Sequence, residues 1–502
     1  MASPFRLYNT LAREVQDFQP QNDGKVKLYV CGMTVYDHSH VGHARAMVTF
    51  DMVARYLRHR GWDVDFVRNY TDVDDKIITR ANEAGEEAMT LAQRFIESFQ
   101  DDMGALGLLE PTHEPRVSQC IEDIVAVIQS LVERGHAYAA EGSVWFDVTS
   151  FPAYGKLSGR KVEDMRSSAE TMAGKKSPQD FALWKAAKPG EPQWESPWGP
   201  GRPGWHIECS AMAHKHLGAE LDIHGGGLDL VFPHHENEIA QSECAHGHEP
   251  YARYWMHNGM LTMASGQKMG KSLGNVFNIK DALKLFPAEA LRLYYLQVHY
   301  RSPLPWSIDA LPDALALLAR LYEAKENAAQ MGGEEDAAKV AKDLGKDAQR
   351  VIELADSFSE RFYAAMDDDF NTAKALGYAF ELARAVNRFH NHKKAKKRGG
   401  PIAQKALAAF GLVEEALGLV AMDGDAFQSE VKAKRLPELG LTAEDVEAKL
   451  AARAQARVDK DWAKADALRA ELEESGIQVM DRADGVDWRV RLDVREEAPE
   501  EA

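Results

Sequence analysis

The first half of the chain alternates strand-like and helix-like segments, and this alternation limits the possible folds more than any other feature. Lys27 to Cys31 is a short apolar run that stops at Gly32, and Val41 to Leu57 then carries apolar residues at helical spacing. A second predicted strand, Val64 to Val67, is followed by further helical segments. This order is typical of an α/β domain with a parallel sheet.

Prolines break the alternation between residues 142 and 204, where seven of them separate short apolar pieces. We interpret this stretch as an insertion between two halves of the sheet domain. The α/β pattern resumes with a predicted strand over Glu220 to Ile223, which leads to Gly225 to Gly227, and with a helix from about His235 to Ala245. The sequence therefore predicts a split α/β domain.

The second half of the chain changes character. Beyond about Ser307 only amphipathic helical patterns occur, which predicts a helical bundle. Residues 422–440 are expected to be an irregular linker, and Ala443 to Glu474 a charged helical pair. We expect Ile477 to Asp481 and Asp487 to Leu492 to form a small hairpin before an acidic tail.

Composition narrows the class of protein. The chain has 502 residues and a formal net charge of −18, which on its own argues against a large nucleic-acid partner, because phosphate binding needs a basic surface. The N-terminus lacks the pattern of a secretory signal, and no apolar run reaches the length of about 18 residues that a membrane span needs. We therefore expect a cytoplasmic protein without a membrane partner. Its four cysteines are too few for a disulfide framework.

The first chemical motif is His40-Val41-Gly42-His43, at the predicted start of a helix. A helix N-terminus presents unpaired N–H groups and positive potential, so it binds phosphate. The two histidines can donate to phosphoryl oxygens, and Gly42 lets a flat base approach the backbone. In isolation, however, the motif is more typical of two surface histidines at a helix cap.

A second motif, Lys268-Met269-Gly270-Lys271-Ser272, lies in a polar, Gly-containing stretch. Its two lysines can neutralise charge that builds on a departing pyrophosphate. When it is taken alone, this motif is better explained as a simple basic loop. Both motifs occur in this order on opposite halves of a split α/β domain, which chance explains poorly.

The third pattern combines two cysteines, a histidine and a glutamate. Cys31 ends the first strand, Cys209 lies in GWHIECSAMA, and His234 and Glu238 share one face of a predicted helix start. The carboxyl edge of the sheet could bring all four together as a zinc site. Because no local CxxC pair exists, two buried cysteines beside an unrelated His and Glu fit the spacing as well.

The two motifs resemble the HIGH and KMSKS signatures of class I aminoacyl-tRNA synthetases, with Val41 in place of isoleucine and Gly270 in place of the first serine. The segments YVCGMTVYDHSHVGHAR, GRPGWHIECSAM, DIHGGGLDLVFPHHENEIAQ and MDDDFNTAKAL look like the cysteinyl-tRNA synthetase family. The resemblance runs from about Tyr8 to Ser302 and recurs in the C-terminal third. It implies an α/β fold, with a split Rossmann-like catalytic domain and an insertion, followed by an α-helical bundle and a small mixed C-terminal domain.

The resemblance implies a metal and its purpose. In that family, residues matching Cys31, Cys209, His234 and Glu238 hold one Zn²⁺ ion, which takes the thiolate of the substrate cysteine. A soft metal prefers a thiolate to an alcohol, so cysteine is separated from serine without an editing domain. Since four protein ligands normally mark a closed structural site, we expect Glu238 to be the adaptable ligand.

The resemblance also implies the remaining site residues. The amino-acid pocket is expected to contain Gly32, Thr34, Thr71 and Trp205, although Trp205 could simply pack in the core. His206 is expected near the adenylate. The ATP-binding set contains His40, Gly42, His43, Asp229 and Lys271, and the catalytic set contains His40, His43, Lys268 and Lys271.

The implied reaction activates L-cysteine with ATP and Mg²⁺ to cysteinyl-adenylate and transfers the cysteinyl group to the 3′-terminal adenosine of tRNA(Cys). A monomer is expected. The implied domains are the catalytic halves 1–141 and 205–262, the insertion 142–204, the KMSKS loop and stem-contact region 263–306, the tRNA-binding bundle 307–421, the linker 422–440 and the anticodon-binding domain with its tail 441–502.

Contacts with RNA are expected in the C-terminal part. Arg457, Trp462, Asp466 and Trp488 resemble the anticodon-binding segment and offer groups that stack on and hydrogen-bond splayed bases. The two tryptophans could instead form the core of that domain. Lys393 to Arg398 could contact phosphates or be a solvated helix end. For so acidic a chain, we expect tRNA recognition by shape and base contacts.

Two other functions fit parts of the sequence. A ligase that joins adenylated cysteine to a small amine, such as an amino sugar, would share the catalytic half and the zinc set. Such relatives lack the complete RNA-binding end, so the segment from Val458 to Leu492 argues against this alternative. A zinc-stabilised RNA-binding protein without catalysis is disfavoured because both histidines and both lysines of the motifs are present.

Overall fold

The computed structural model describes residues 4–162, 174–263, 277–482 and 485–492. The chain divides into two compact units. The first contains residues 1–276, 299–305 and 364–371, and the second contains residues 277–298, 306–363 and 372–502. Two short segments from the later part of the chain therefore belong to the first unit.

A four-stranded parallel sheet lies at the centre of the first unit, in the order β10-β9-β3-β4. Helices accompany it, and the buried faces of β3 and β4 are rich in Val, Leu, Tyr and Phe, as expected for strands covered on both sides. This confirms the predicted α/β fold. The strands are β1 (Arg6–Asn9), β2 (Glu14–Asp17), β3 (Lys25–Thr34), β4 (Asp63–Thr71), β5 (Ala137–Ala140), β6 (Ser143–Phe146), β7 (Phe181–Ala186), β8 (Gly201–Pro203), β9 (Leu221–Gly227), β10 (Ala252–Asn258), β11 (Leu261–Met263) and β12 (Leu304–Trp306).

The insertion contains a sheet of its own. Strands β5, β6, β7 and β8 pair antiparallel in that order, so this sheet begins at Ala137. The helices of the first unit are α1 (Val41–His59), α2 (Asp75–Ala84), α3 (Ala88–Ala105), α4 (Ile121–Glu133), α5 (Trp205–Leu217) and α6 (Glu236–His246). A π-helical turn, Val231–His235, precedes α6.

The second unit is helical up to a terminal hairpin, as predicted. Its helices are α7 (Ile279–Leu285), α8 (Ala288–Leu296), α9 (Leu311–Ala329), α10 (Ala337–Leu344), α11 (Lys346–Asp356), α12 (Phe358–Met366), α13 (Thr372–His390), α14 (Ala395–Arg398), α15 (Gly400–Leu417), α16 (Gly424–Arg435), α17 (Ala443–Val458) and α18 (Trp462–Glu474). The hairpin pairs β13 (Ile477–Arg482) with β14 (Gly485–Val490).

The expectation of an irregular linker over residues 422–440 was wrong, because α16 occupies most of it. The Asp423 side chain accepts hydrogen bonds from the N–H groups of Asp425 and Ala426 and so caps this helix. Phe427 and Val431 lie one helical turn apart and are both buried. A capped helix with only two apolar anchors gives little periodic signal in the sequence.

Candidate active site and metal centre

The His40-Val41-Gly42-His43 motif forms the N-terminus of α1. The Nδ1 atom of His40 accepts a hydrogen bond from the Gly42 N–H at 3.0 Å. The His40 N–H donates to Nδ1 of His43 at 3.3 Å, and the two rings stack with centroids 3.7 Å apart. In neutral imidazoles these bonds place the ring proton on Nε2 of both histidines. Two Nε2 donors beside a helix N-terminus are a set that suits phosphate.

A cavity of about 290 Å³ lies at the carboxyl ends of β3, β9 and β10. Eight of the predicted site residues line it: Cys31, Gly32, Thr34, His40, Gly42, His43, Trp205 and Asp229. Thr71 and His206 are not among its described lining residues. The Thr71 hydroxyl donates to the buried Glu208 carboxylate at 2.9 Å, and Nδ1 of His206 lies 3.0 Å from Nδ1 of His234. The structure thus brings most of the predicted pocket to one place.

Close packing shapes the cavity wall. Gly32 lies where a Cβ atom would approach the Asn69 carbonyl oxygen to 1.6 Å, so a side chain is excluded there. Trp205 begins α5, lines the cavity and stacks on His234 with ring centroids 4.4 Å apart. Trp205 is thus a wall residue and not a simple core residue. Gly227 lets the backbone pass close to Asp229, whose Oδ1 would lie 2.6 Å from a Cβ atom.

Cys31, Cys209, His234 and Glu238 converge in the interior, with their ligand atoms within 4.8 Å of one another. The two Sγ atoms are 3.7 Å apart, Sγ of Cys31 lies 3.3 Å from Oε1 of Glu238, and Nε2 of His234 lies 3.1 Å from the same oxygen. Ligands of a tetrahedral ion are about 3.3–3.8 Å apart, given bonds of about 2.0–2.3 Å. All four residues are buried, and the donor set fits a metal ion.

The charges of this cluster also suit a cation. Burial opposes ionisation of Cys209, yet the hydrogen bond from Cys31 and the proximity of His234 lower the pKa of its thiol to about 6. Burial and the neighbouring Cys209 raise the pKa of Cys31. Glu238 is also buried, but His224 and His234 hold the pKa of its carboxyl well below the usual range. Burial opposes protonation of His234, but Glu238 and Cys209 raise its pKa to about 10, so without an ion the thiolate and the carboxylate are balanced by an imidazolium. A bound cation would take the place of that proton, because metal ligands bind in their deprotonated forms.

Neighbouring side chains orient Glu238. Its Oε2 atom accepts hydrogen bonds from His224 at 2.8 Å and from the Tyr251 hydroxyl at 3.3 Å, which leaves Oε1 directed to the cluster. Such outer partners fix the orientation of a ligand. Cys120 and Cys244 lie outside the cluster and are also buried.

The Lys268-Met269-Gly270-Lys271-Ser272 motif lies outside the described residues. The described residues break off after Met263 in β11, and Leu261 of this strand and Met260 just before it line the cavity. The roles of Lys268 and Lys271 therefore stay predictions.

The four predicted RNA contacts fall into two groups. Trp462 is 59% exposed at the start of α18, and Asp466 is exposed one turn later. Arg457 pairs with Asp481 at 2.9 Å. Trp488 is 6% exposed and packs beneath Lys432, whose Nζ lies 4.0 Å from the ring centroid. The structure thus exposes three of the four residues and buries the last.

The basic run at 393–398 is partly neutralised. Arg398 forms ion pairs with Glu335 and, at 2.7 Å, with Asp343. The four lysines of the run are exposed. Both interpretations of this run, phosphate binding and a solvated helix end, stay open.

Three family models match successive parts of the chain. Residues 17–316 match the family model described as tRNA synthetases class I (C) catalytic domain. Residues 361–421 match the DALR domain, and residues 440–489 match the cysteinyl-tRNA ligase anticodon binding domain. The chain is 49% identical over 489 residues to the cysteine-tRNA ligase of Geobacter metallireducens, covering 97% of this chain and 99% of that protein.

The chain belongs to the cysteine-tRNA ligase family. This is a family of class I aminoacyl-tRNA synthetases, as the sequence motifs indicated. The cysteine-tRNA ligase of Alkalilimnicola ehrlichii is 50% identical over 486 residues, covering 96% of this chain and 99% of that one. The alternative of a small-amine ligase finds no support, since the match to the anticodon-binding domain is present.

Solved structures of other synthetases share the fold. Mycobacterium tuberculosis methionyl-tRNA synthetase in complex with methionyl-adenylate has a TM-score of 0.58 at 16% identity, covering 84% of this chain and 94% of that one. A ternary complex of Agrobacterium radiobacter LeuRS has a TM-score of 0.58 at 11% identity, covering 83% of this chain and 87% of that one.

Among the described residues, no helix combines the length and apolar character needed to cross a bilayer.

Sequence reasoning missed several residues of the site in this cysteine-tRNA ligase family member. Tyr36, Lys76 and Asn258 line the cavity. Asn258 ends β10 and Lys76 lies in the first turn of α2, directly after β4. Both positions are at the carboxyl edge of the sheet, where α/β folds place ligands, so strand ends could have indicated them.

Proposed function

We propose that this protein attaches L-cysteine to tRNA(Cys) as a cytoplasmic monomer. In the first step ATP and L-cysteine form cysteinyl-adenylate, and in the second the cysteinyl group passes to the 3′-terminal adenosine. One observation carries the proposal: Cys31 lines the same cavity as the HVGH histidines and is also a member of the buried donor cluster. Cys31 thus belongs both to the proposed ATP-binding cavity and to the proposed thiol-binding metal site.

Selection of cysteine is assigned to Zn²⁺ held by Cys31, Cys209, His234 and Glu238. When bound, this ion supplies a soft Lewis acid that prefers a thiolate to an alcohol, which excludes serine. Trp205 supports the choice of a small side chain, since its indole forms a wall of the cavity and packs on His234. Glu238 is proposed as the ligand whose bond to the ion weakens when the substrate thiolate binds. It offers the ion a single oxygen, Oε1, because His224 holds its Oε2 atom.

Activation of the carboxylate needs positioning and charge neutralisation more than covalent chemistry. The Nε2 atoms of His40 and His43 and the N-terminus of α1 are proposed to hold phosphoryl oxygens of ATP, which enters with Mg²⁺. Lys268 and Lys271 are proposed to neutralise the departing pyrophosphate. Gly42 and Asp229 are proposed to accept the adenosine, with Gly32, Thr34 and Thr71 shaping the amino-acid side.

Recognition of tRNA is proposed for the C-terminal part of the chain. Trp462 offers a largely exposed indole for a splayed base, and Arg457 and Asp466 lie exposed on the same helical pair. Trp488 is proposed to act by holding β14 against α16, because its ring is buried under Lys432 of that helix.

The test is cysteine-dependent exchange of pyrophosphate into ATP, followed by aminoacylation of total tRNA, each with and without a zinc chelator. We expect exchange with cysteine and not with serine, charging of one tRNA species, and loss of both activities in the chelator. Restored activity on adding Zn²⁺ would separate metal loss from unfolding. Equal exchange with serine, or exchange that survives complete metal removal, would refute the selection mechanism. X-ray absorption at the zinc edge should show one added sulfur when cysteine binds.

A further inference from the structure

Arg45 connects two walls of the cavity. It lies on α1, two residues after His43, and is 1% exposed. Its guanidinium donates to the carbonyl oxygens of Met260 at 3.0 Å, of Tyr300 at 3.4 Å and of Ser302. Met260 lines the same cavity as the HVGH motif. The helix that carries the histidines is therefore tied by one side chain to the strand that leads into the KMGKS motif.

The wall formed by residues 258–261 rests closely on residues 299–304. The Gly259 N–H donates to the Tyr300 carbonyl at 2.8 Å, and the Leu304 N–H donates to the Met260 carbonyl at 3.1 Å. A Cβ atom at Gly259 would lie 2.4 Å from the Ser302 carbonyl oxygen, so only glycine permits this approach. Any shift of residues 299–304 would consequently move the cavity wall.

Asp369 fixes that supporting segment. It is 3% exposed, and its carboxylate accepts hydrogen bonds from the Tyr300 hydroxyl at 2.8 Å, from Nε of Arg301 at 2.7 Å and from the Tyr8 N–H at 2.8 Å. Asp369 and Phe370 both have the left-handed backbone that non-glycine residues rarely adopt, with φ of 60° and 52°. Strained residues persist where surrounding contacts determine them and often serve function.

We infer that Arg45, supported by Asp369, is a positioning residue that sets the distance between the HVGH helix and the 258–261 wall for ATP. The inference rests on the proposed function only for the identity of the nucleotide. The arrangement connects to the cavity through three backbone carbonyls, and the rigid, planar guanidinium spans them with donors that a compact ammonium cannot place in the same geometry. The cysteine side of the site is held by β3, α5 and α6, without these contacts.

The experiment compares Arg45→Lys, which keeps the charge and loses the fork, with the wild-type chain. The measurements are the Kd for ATP by calorimetry without amino acid, and kcat and KM for ATP and for cysteine in the exchange reaction. Since a misplacement of about 1 Å can reduce rates about a hundredfold, we expect kcat/KM for ATP to fall about ten- to a hundredfold. KM for cysteine should stay within about twofold of the wild-type value.

Asp369→Asn removes the charge that holds residues 299–304. It should also lower kcat/KM for ATP and weaken ATP binding, by a smaller factor than Arg45→Lys. Asp368→Asn is the matched control, because this neighbouring carboxylate pairs with the exposed Arg6 and, among the described residues, acts on His299 only through its charge, without a hydrogen bond to residues 299–304. We expect the control to equal the wild type in ATP affinity. If Arg45→Lys does not fold, Asp369→Asn and Tyr300→Phe decide the question by the same criteria.

The inference is overturned if folded variants of Arg45 and Asp369 bind ATP like the wild type. It is also overturned if KM for cysteine and KM for ATP change by the same factor, since that pattern indicates general disorder. A wild-type chain without cysteine-dependent exchange would contradict the proposed function. The calorimetric Kd for ATP would still support or overturn the positioning role in that case.

Discussion

The cavity of the first unit and the helical pair α17–α18 of the second unit hold their functional residues in opposite ways. Cys31, Cys209 and Glu238 are nearly or fully buried and fixed by mutual contacts. Trp462 is 59% exposed, and the exposed Arg457 pairs with the Asp481 carboxylate. A buried site carries its specificity in fixed geometry, whereas an exposed one acquires it only with its partner.

The two regions also differ in how far apart in the sequence their residues lie. The buried cluster takes residues from β3, α5 and the start of α6, which a parallel sheet brings to one edge. The exposed set comes from one short stretch, Arg457 to Asp466, and needs no tertiary fold to be close in space. Substitutions should therefore affect chemistry in the first region and partner binding in the second.

The largest effect is expected for Cys209→Ser. Loss of a thiolate ligand should remove the metal and lower cysteine-dependent exchange about a thousandfold, because metal-ion catalysis contributes several kcal/mol. Metal content by elemental analysis and the exchange rate are the measurements. Cys244→Ser is the matched control, as this cysteine is also buried but lies outside the cluster. Equal metal content in both variants would contradict the cluster as the site.

The next effect concerns stability. Trp488→Ala should lower the free energy of unfolding of the second unit by about 3 kcal/mol, because it empties a buried aromatic site and removes the contact with Lys432. Urea denaturation followed by far-UV circular dichroism measures this change. If the variant is as stable as the wild type and has lost tRNA affinity, Trp488 reads RNA directly and the division into buried and exposed groups fails there.

Trp462→Ala should behave in the opposite way. Removal of an exposed indole changes stability by less than about 0.5 kcal/mol, whereas loss of a stacked base costs about 1–3 kcal/mol. We expect kcat/KM for tRNA to fall about tenfold and exchange without tRNA to stay unchanged. Filter binding and aminoacylation kinetics measure the effect. Val15→Ala, at an exposed apolar residue of β2 in the first unit, serves as the control for general surface changes.

The sequence predicted the elements with strong periodicity, most of the residues that line the cavity and the four residues of the donor cluster. The parallel sheet, the bundle and the terminal hairpin were expected, and the four donor residues were named through the family resemblance. Their convergence could not follow from spacing alone, because Cys31 and Cys209 lie far apart in sequence and have no CxxC partner.

Long-range contacts account for what was missed. Residues 364–371 include the end of α12 and the link to α13, but they belong to the first unit. There the Tyr56 hydroxyl donates to Asp367 at 2.6 Å, and the Tyr300 hydroxyl donates to Asp369. No local pattern marks such partners. Lys76 was missed for a related reason, since a charged residue in the first turn of a helix is ordinary until the cavity beside it is known.

The smallest predicted effect concerns the response of the two units to acid. In the first unit, burial and the neighbouring His214 together lower the pKa of His246 to about 4, from an ordinary value of 6.5. In the second unit, Asp481 is held by Arg453, whose hydrogen bond lowers the pKa of that carboxyl to about 2, from 3.8. The two regions should therefore lose stability in different pH ranges.

Between pH 6.5 and 4 the unfolded chain binds a proton at His246 that the folded chain does not, so acidification favours unfolding in this range. Since His246 is only partly buried, the contribution at pH 5 should be about 1 kcal/mol or less. His246→Phe keeps a ring against His214 and should flatten the dependence of stability on pH between 7 and 5. Asp481→Asn should leave the dependence of stability on pH between 7 and 5 unchanged. A carboxylate with a lowered pKa stabilises the fold above pH 4, and this stabilisation is lost only as the pH falls towards 2. Denaturant titrations at pH 7, 6 and 5 measure both slopes, and equal slopes in the wild type and His246→Phe would assign the acid response to other buried groups.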